Sequence, residues 1–284
     1  ERYQMVNKYI PKDLKEALQI LSEHDCYIMA GGTDLMVAKH RSSGLLPTFD
    51  KDVIYIMGLE ELNFIKKVDG NIVIGATANY ADILKSPIIP QLLKDIVIEI
   101  ASPSLRNMAT LIGNIGNASP AGDALVGLYL YDALIELTSI HGKRVMPISE
   151  FIYGVRRIHR EQDELITSVI IPEQHFTNTK WKKVGSRKAE TISKITFAGS
   201  YTIDQGIIKD IRLVFGSVGI TVVRRPELEA RYIGLTVEQL QSKTDEILLE
   251  YGKFILPISD QRSTKDYRFK VAMNIARDFL SHIE

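Results

Sequence analysis

Cysteine is all but missing: Cys26 is the only one in 284 residues. A single thiol excludes an intrachain disulfide and a cysteine-ligated iron–sulfur cluster held by this chain alone. Net charge is missing too. Lys plus Arg (35) balances Asp plus Glu (35), which removes the electrostatic case for nucleic acid or an anionic membrane surface as partner. Apolar runs break off short of the ~20 residues that span a bilayer, so no membrane span is expected. The start, Glu1-Arg2-Tyr3-Gln4, has no apolar signal core and no initiator Met, which leaves room for residues before it. The expected compartment is the cytoplasm. Six histidines (His24, His40, His141, His159, His175, His282) are scattered without metal-ligand spacing, and no metal site is expected. No Ser-His-Asp or Cys-His set stands out. Neither GxGxxG nor GxxxxGK[ST] occurs.

What is present is a globular composition, 45% apolar, long enough for one large domain or two to three smaller ones. Leu14, Ala17, Leu18 and Leu21 fall at helical spacing behind Pro11 and predict a helix over 13–24. Tyr27 to Ala30 reads as a short strand, and Asp34 to Arg41 as a helix. Val53 to Met57 is a further strand. Asp69-Gly70 predicts a hairpin between Phe64–Val68 and Asn71–Gly75. Residues 80–100 read as two helical pieces divided by the prolines at 87 and 90. Ser102 to Asp123 carries two prolines and three glycines and reads as a long loop. A helix from Ala124 to Tyr131 follows, then a hairpin of Leu134–Thr138 with Lys143–Pro147 and a strand from Glu164 to Ile171. Composition shifts near Pro172 to Thr179, the expected domain boundary. Beyond it come Lys180–Ser186, a hairpin of Ile195–Ile203 with Ile207–Phe215, and helices near 225–231, 236–250 and 264–283. Hairpins followed by a run of helices predict an α+β chain, not a doubly wound sheet.

Two glycine-containing turns carry most of the functional signal. In Ala30-Gly31-Gly32-Thr33-Asp34-Leu35, bare backbone N–H groups stand where a strand meets a helix, which suits an anion. A plain strand-to-helix turn capped by Asp34 explains the same six residues. In the stretch from Ala109 to Asp123, Thr110 offers a hydroxyl, Gly113 a bare backbone and Asn114 an amide. Asp123 could accept from a ribose hydroxyl. A surface loop held by Asx and Ser turns is the plainer account. Together the two turns suggest a dinucleotide gripped from two sides. Trp181 to Lys188 is a basic strand end, either a solvated charged edge or a contact, through Lys183, to an electron-rich ring or phosphate. Pro257 to Arg268 reads as a capped helix start.

In order and spacing, these elements resemble the flavoprotein (medium) subunit of the molybdenum hydroxylases, a family with bacterial xanthine dehydrogenases, carbon monoxide dehydrogenase and nicotinate or aldehyde oxidoreductases. The resemblance runs from about Ile10 to Phe279. It takes in Ala30–Leu35, Ile74-Gly75-Ala76-Thr77, Ser102-Pro103-Ser104-Leu105-Arg106-Asn107, Thr110–Asp123, Asp163-Glu164-Leu165-Ile166, Lys183–Lys188 and Pro257–Arg268. It implies a two-lobed FAD-binding domain of the vanillyl-alcohol-oxidase type over 1–175 (lobes about 1–57 and 58–175). A small C-terminal α+β domain over 176–284 would follow. It implies that Met29, Ala30, Gly31, Gly32, Thr33, Asp34 and Leu35 hold the FAD pyrophosphate, completed by Ala109, Thr110, Gly113 and Asn114. Asp123 would bind the ribose or adenine end, Ile166 would pack on the adenine side, and Lys183 would sit near the flavin. Ile100 stands where some relatives put an aromatic near the isoalloxazine. One departure is visible: the family usually has two glycines before Asn114, and the first is here Ile112, whose branched side chain cannot take a Gly-only conformation cheaply.

The function implied is electron transfer. An iron–sulfur small subunit would feed FAD on this chain, a molybdenum-cofactor large subunit would oxidise the substrate, and NAD or another acceptor would take the electrons. No catalytic side chain is expected here. Two other readings are a self-contained flavin oxidase of the same fold and a non-catalytic scaffold that has lost its flavin, to which Ile112 is the one pointer.

Overall fold

The computed structural model describes residues 6–40, 46–187 and 190–284. Glu1-Arg2-Tyr3-Gln4, the expected helix end at Arg41, and Lys188 lie outside the described residues.

The chain opens with a three-stranded parallel sheet ordered Lys8–Tyr9, Asp52–Tyr55, Cys26–Met29. The helix Leu14–Glu23 crosses between its first two strands in sequence. Asp13 caps it by accepting from the Glu16 N–H, and it buries Ala17, Leu18 and Leu21. Five antiparallel strands follow, ordered Ile65–Val68, Asn71–Gly75, Leu165–Ile171, Leu134–Ser139, Gly142–Pro147. The first pair turns on Asp69 (φ 50°) and Gly70 (φ 82°), the left-handed pair that a two-residue hairpin requires. Helices Tyr80–Lys85 and Gln91–Ile98 stand on either side of the 87–90 proline segment.

The expected loop over 102–123 is in fact two helices, Pro103–Arg106 and Leu111–Asn117. Two glycines and two asparagines in Leu-Ile-Gly-Asn-Ile-Gly-Asn disfavour a helix by propensity alone. Tertiary burial of Leu111, Ile112 and Ile115 outweighs that. Thr110 caps the start by accepting from the Gly113 N–H, and Ala118 in the left-handed region (φ 45°) ends it. The sequence reading also missed the helix Ile148–Phe151 and the small ribbon of Ile152–Gly154 with Arg157–Ile158.

Beyond residue 177 the strands Asn178–Val184, Ile195–Asp204 and Ile207–Gly216 form an antiparallel sheet. The expected 236–250 helix is two helices, Val237–Ser242 and Thr244–Gly252, and the long helix Lys265–Ser281 packs on the middle strand. Phe197, Phe215, Tyr251 and Phe279 meet at the centre of a second core. The two cores are joined by the helix Asp123–Leu130, buried at all eight residues. A methyl on Gly216 would stand 2.6 Å from the Val126 side chain. Arg212 donates to the Leu130 carbonyl (2.6 Å) and Arg224 to the Tyr129 carbonyl (2.9 Å); both also reach Asp132. Two cations thus close the C-terminal end of the joining helix, where its dipole favours them.

Asp260 fixes the start of the last helix. Burial pushes its pKa up, but the N–H groups of Arg262 and Ser263 and the Arg268 guanidinium outweigh that and hold it at about 2. A carboxyl depressed from 3.8 adds stability that is present above its unfolded value and lost as pH falls through its folded one. Asp260→Asn is therefore expected to lower Tm at pH 6, with the gap from wild type closing between about pH 4 and pH 2. A gap independent of pH would exclude the carboxylate as its cause.

Candidate functional site

Met29 ends its strand, where its carbonyl accepts from the Ile56 N–H at 3.0 Å. The chain then turns through Ala30 and Gly31 to Gly32, which has φ +70°. A methyl added to Gly31 would stand 1.9 Å from the Met108 carbonyl oxygen and 3.1 Å from the Ala109 nitrogen. The two turns, some eighty residues apart in sequence, are therefore in backbone contact. Among the described residues none accepts a hydrogen bond from the N–H groups of Gly31, Gly32, Thr33, Asp34 or Ile112. Met29 to Thr33 are half-buried, and Leu35 begins a helix of only five residues, Leu35–Lys39. Five residues carry little dipole, so any anion affinity here comes from the individual N–H groups.

Asp34 does not cap that helix. Its carboxylate instead accepts from Asn117 Nδ2 at 2.6 Å, and Arg156 donates to the side-chain oxygen Oδ1 of the same Asn117. This second tie joins the first turn to the helix Leu111–Asn117. Ile112 is the second residue of that helix, buried, with no left-handed backbone. The conflict expected of a branched residue there does not arise. Gly113 and Gly116 face outward, Asn114 is half-buried and Thr110 is spent on the cap. Asn114 Oδ1 is shielded from water and has no hydrogen-bond partner among the described residues. Ile166 lies across from Gly116, where an added methyl would meet its Cδ1 at 3.7 Å.

Asp123 and Lys183 are brought together, contrary to the expectation that put them at opposite ends of the cofactor. Lys183 Nζ donates to Asp123 Oδ2 at 2.7 Å, and both side chains are under a tenth exposed. Ser193 Oγ donates to Asp123 Oδ1 at 2.5 Å. Burial pushes the Asp123 carboxyl up, against the pull of Lys183 and Ser193. The pair is one station, and a solvated basic edge does not describe Lys183. The ammonium also donates to the Glu99 carbonyl at 2.8 Å. Arg106 holds the neighbouring carbonyls of Ile98, Ile100 and Ala101 at 2.8–3.0 Å, which fixes the bend that carries Ile100. Ala109 and Ile100 both pack against the first core.

Sequence reasoning missed the roles of Asn117 and Ser193, whose partners Asp34 and Asp123 lie 83 and 70 residues away, and that of Arg106, whose carbonyl partners lie within eight residues. Among the described residues no cluster of His, Cys, Asp or Glu could hold a metal, and no helix is long and apolar enough to cross a membrane.

Residues 4–174 match the family described as the FAD binding domain in molybdopterin dehydrogenase, and residues 181–283 the CO dehydrogenase flavoprotein C-terminal domain. The chain is 30% identical to the glyceraldehyde dehydrogenase medium chain of Sulfolobus acidocaldarius, covering 92% of each. It is 27% identical to the xanthine dehydrogenase FAD-binding subunit of Escherichia coli O157:H7, covering 94% of this chain and 92% of that one. A chain of reconstituted CO dehydrogenase from Oligotropha carboxidovorans superposes with a TM-score of 0.86 at 21% identity, over 98% of this chain and 97% of that one. That likeness speaks to the fold.

Proposed function

The chain belongs to the FAD-binding medium-subunit family of the molybdenum hydroxylases, with FAD as its cofactor, and we propose that it is the electron-transfer subunit of a multi-subunit enzyme of that class. An iron–sulfur small subunit delivers electrons to this chain. Substrate oxidation belongs to a molybdenum-cofactor large subunit, and NAD or another acceptor takes the electrons away. The single cysteine supports this division, because the chain cannot ligate such clusters by itself. Medium chains and FAD-binding subunits among the relatives support it too.

The observation that carries the reading is the contact of Gly31 with Met108. It joins N–H groups without acceptors on two segments into one cradle, beside an Asn114 oxygen that lacks a donor. Residues 29–35 with Ala109, Thr110, Gly113 and Asn114 would hold the FAD diphosphate. Ile166 would pack on the adenine side, and the Lys183–Asp123 station, with Ile100 beside it, would border the cofactor. We assign residues 1–175 to the FAD-binding domain, with lobes about 1–57 and 58–175, and 176–284 to the C-terminal domain; the second core, drawn entirely from residues beyond 176, supports the division. When bound, FAD supplies the redox chemistry. The chain's own groups bind it, orient it and shape its electrostatics. The scaffold reading loses its one pointer, since Ile112 is unstrained.

The test is the visible spectrum of the purified chain and the flavin it releases on denaturation. Oxidised-flavin bands with about one FAD released per chain are expected. Colourless protein that takes up no FAD, even with the partner subunits, would refute the reading.

A further inference from the structure

Tyr80 is one of the largest fully buried side chains, 1% exposed, at the start of the helix Tyr80–Lys85. Its hydroxyl has no hydrogen-bond partner among the described residues. A phenol stranded in an apolar core is disfavoured, and a phenylalanine would fill the same space without that cost. The location suggests what the hydroxyl is for. The Tyr80 N–H donates to the Ala109 carbonyl at 3.0 Å, and Asn79 bridges to Thr110. Tyr80 is thus pinned to the segment that touches Gly31. The hydroxyl is also within electrostatic reach of Asp123 and Asp34. After burial itself, those two carboxylates hold the phenol far above its ordinary pKa, so it stays a donor.

Neither carboxylate serves as its acceptor. Asp123 is engaged by Lys183 and Ser193, and Asp34 by Asn117. A buried donor without an acceptor is therefore tied, through its own backbone, to the segment that contacts Gly31, where further N–H groups also lack acceptors. The several oxygens of a diphosphate are the acceptors that such donors lack.

We propose that the Tyr80 hydroxyl is a further cofactor-binding group, donating a hydrogen bond to a diphosphate oxygen of bound FAD; this rests on the cradle described above.

The test compares wild-type full chain with Tyr80→Phe, both stripped of flavin. Each is titrated with FAD and with ADP, which carries the diphosphate without the flavin. Tyr80→Phe is expected to keep or raise the Tm of the flavin-free chain, because its hydroxyl is unpartnered there. It is expected to weaken both FAD and ADP about tenfold, the size of a hydrogen bond to a charged group. Unchanged FAD affinity would overturn the proposal. So would a loss seen with FAD but not ADP, or a drop in flavin-free Tm that accounts for the weaker binding. The cradle reading fails separately, through Gly31→Ala taking up FAD as well as wild type does.

Discussion

Gly31→Ala is expected to leave the purified chain nearly colourless. The added methyl would stand 1.9 Å from the Met108 carbonyl oxygen and 2.6 Å from its carbon, distances no real Cβ contact tolerates. What it strikes is backbone, and that backbone is braced. The Met108 and Ala109 N–H groups both donate to the Leu105 carbonyl, at 3.0 and 2.8 Å, and the Ala109 carbonyl accepts from Tyr80. The two turns must therefore part, which separates the donors that converge on the diphosphate. Forcing an extra methyl into a packed contact costs about 1–3 kcal/mol. Charged to cofactor binding, that is on the order of ten- to a hundredfold in FAD affinity. Gly58→Ala is the control, because an added methyl there meets nothing within 4 Å. Flavin absorbance per chain, FAD released on denaturation and Tm are read together. The expected pattern is flavin lost in Gly31→Ala, retained in Gly58→Ala. Full loading of Gly31→Ala would mean the turns are not a cradle.

That contact marks the limit of what sequence could supply. Gly31 is visible as a glycine at a strand-to-helix junction, and its neighbours suggest an anion. Nothing local says that its missing side chain makes room for Met108, because the information sits at both ends of a contact across seventy-seven positions. The hairpins at Asp69-Gly70 and Asp204-Gln205-Gly206 were legible because their turn chemistry is local; Asp69, Gly70, Gln205 and Gly206 all take positive φ. The helix Leu111–Asn117 was not, because its glycines and asparagines argue against a helix while its stability comes from three buried apolar side chains and a threonine cap. Ile112 misled in the opposite sense: a helical second position places no premium on glycine. Asp123 and Lys183 were each picked out, yet assigned to different ends of the ligand. Charge complementarity at a separation of sixty residues has no sequence signature. Tyr80 could not be singled out, since an aromatic on a helix face is ordinarily core.

Lys183→Met should produce the largest loss of stability of any variant considered, and a loss that depends on pH. The ammonium is replaced by an apolar chain of similar length, while Asp123 stays buried with only Ser193 to donate to it. Removing one partner of a buried pair typically costs ~3–5 kcal/mol, because the other charge is left uncompensated. For a chain of this size that amounts to roughly 10 °C in Tm. Burial already pushes the Asp123 carboxyl above its ordinary value, with Lys183 the largest opposing influence. Without Lys183 the folded-state pKa rises further. A carboxyl raised in the folded state favours folding when protonated, so the penalty is small near its unfolded pKa and grows as pH rises towards the folded one. The Tm deficit of Lys183→Met is thus expected to be largest at neutral and alkaline pH and to shrink on acidification. The Asp260→Asn deficit also fades on acidification, but lower on the pH scale, between about pH 4 and pH 2. Asp123→Asn combined with Lys183→Met removes the stranded charge and should recover most of the lost stability. The double variant also separates two roles. If the pair only ties the C-terminal sheet to the joining helix, restored stability brings restored FAD loading. If Lys183 or Asp123 also contacts the cofactor, the double variant melts like wild type and still loads poorly. Differential scanning calorimetry from pH 5 to pH 8, with flavin content measured on the same samples, distinguishes these outcomes. A Lys183→Met deficit that does not vary with pH would exclude the stranded carboxylate as its origin.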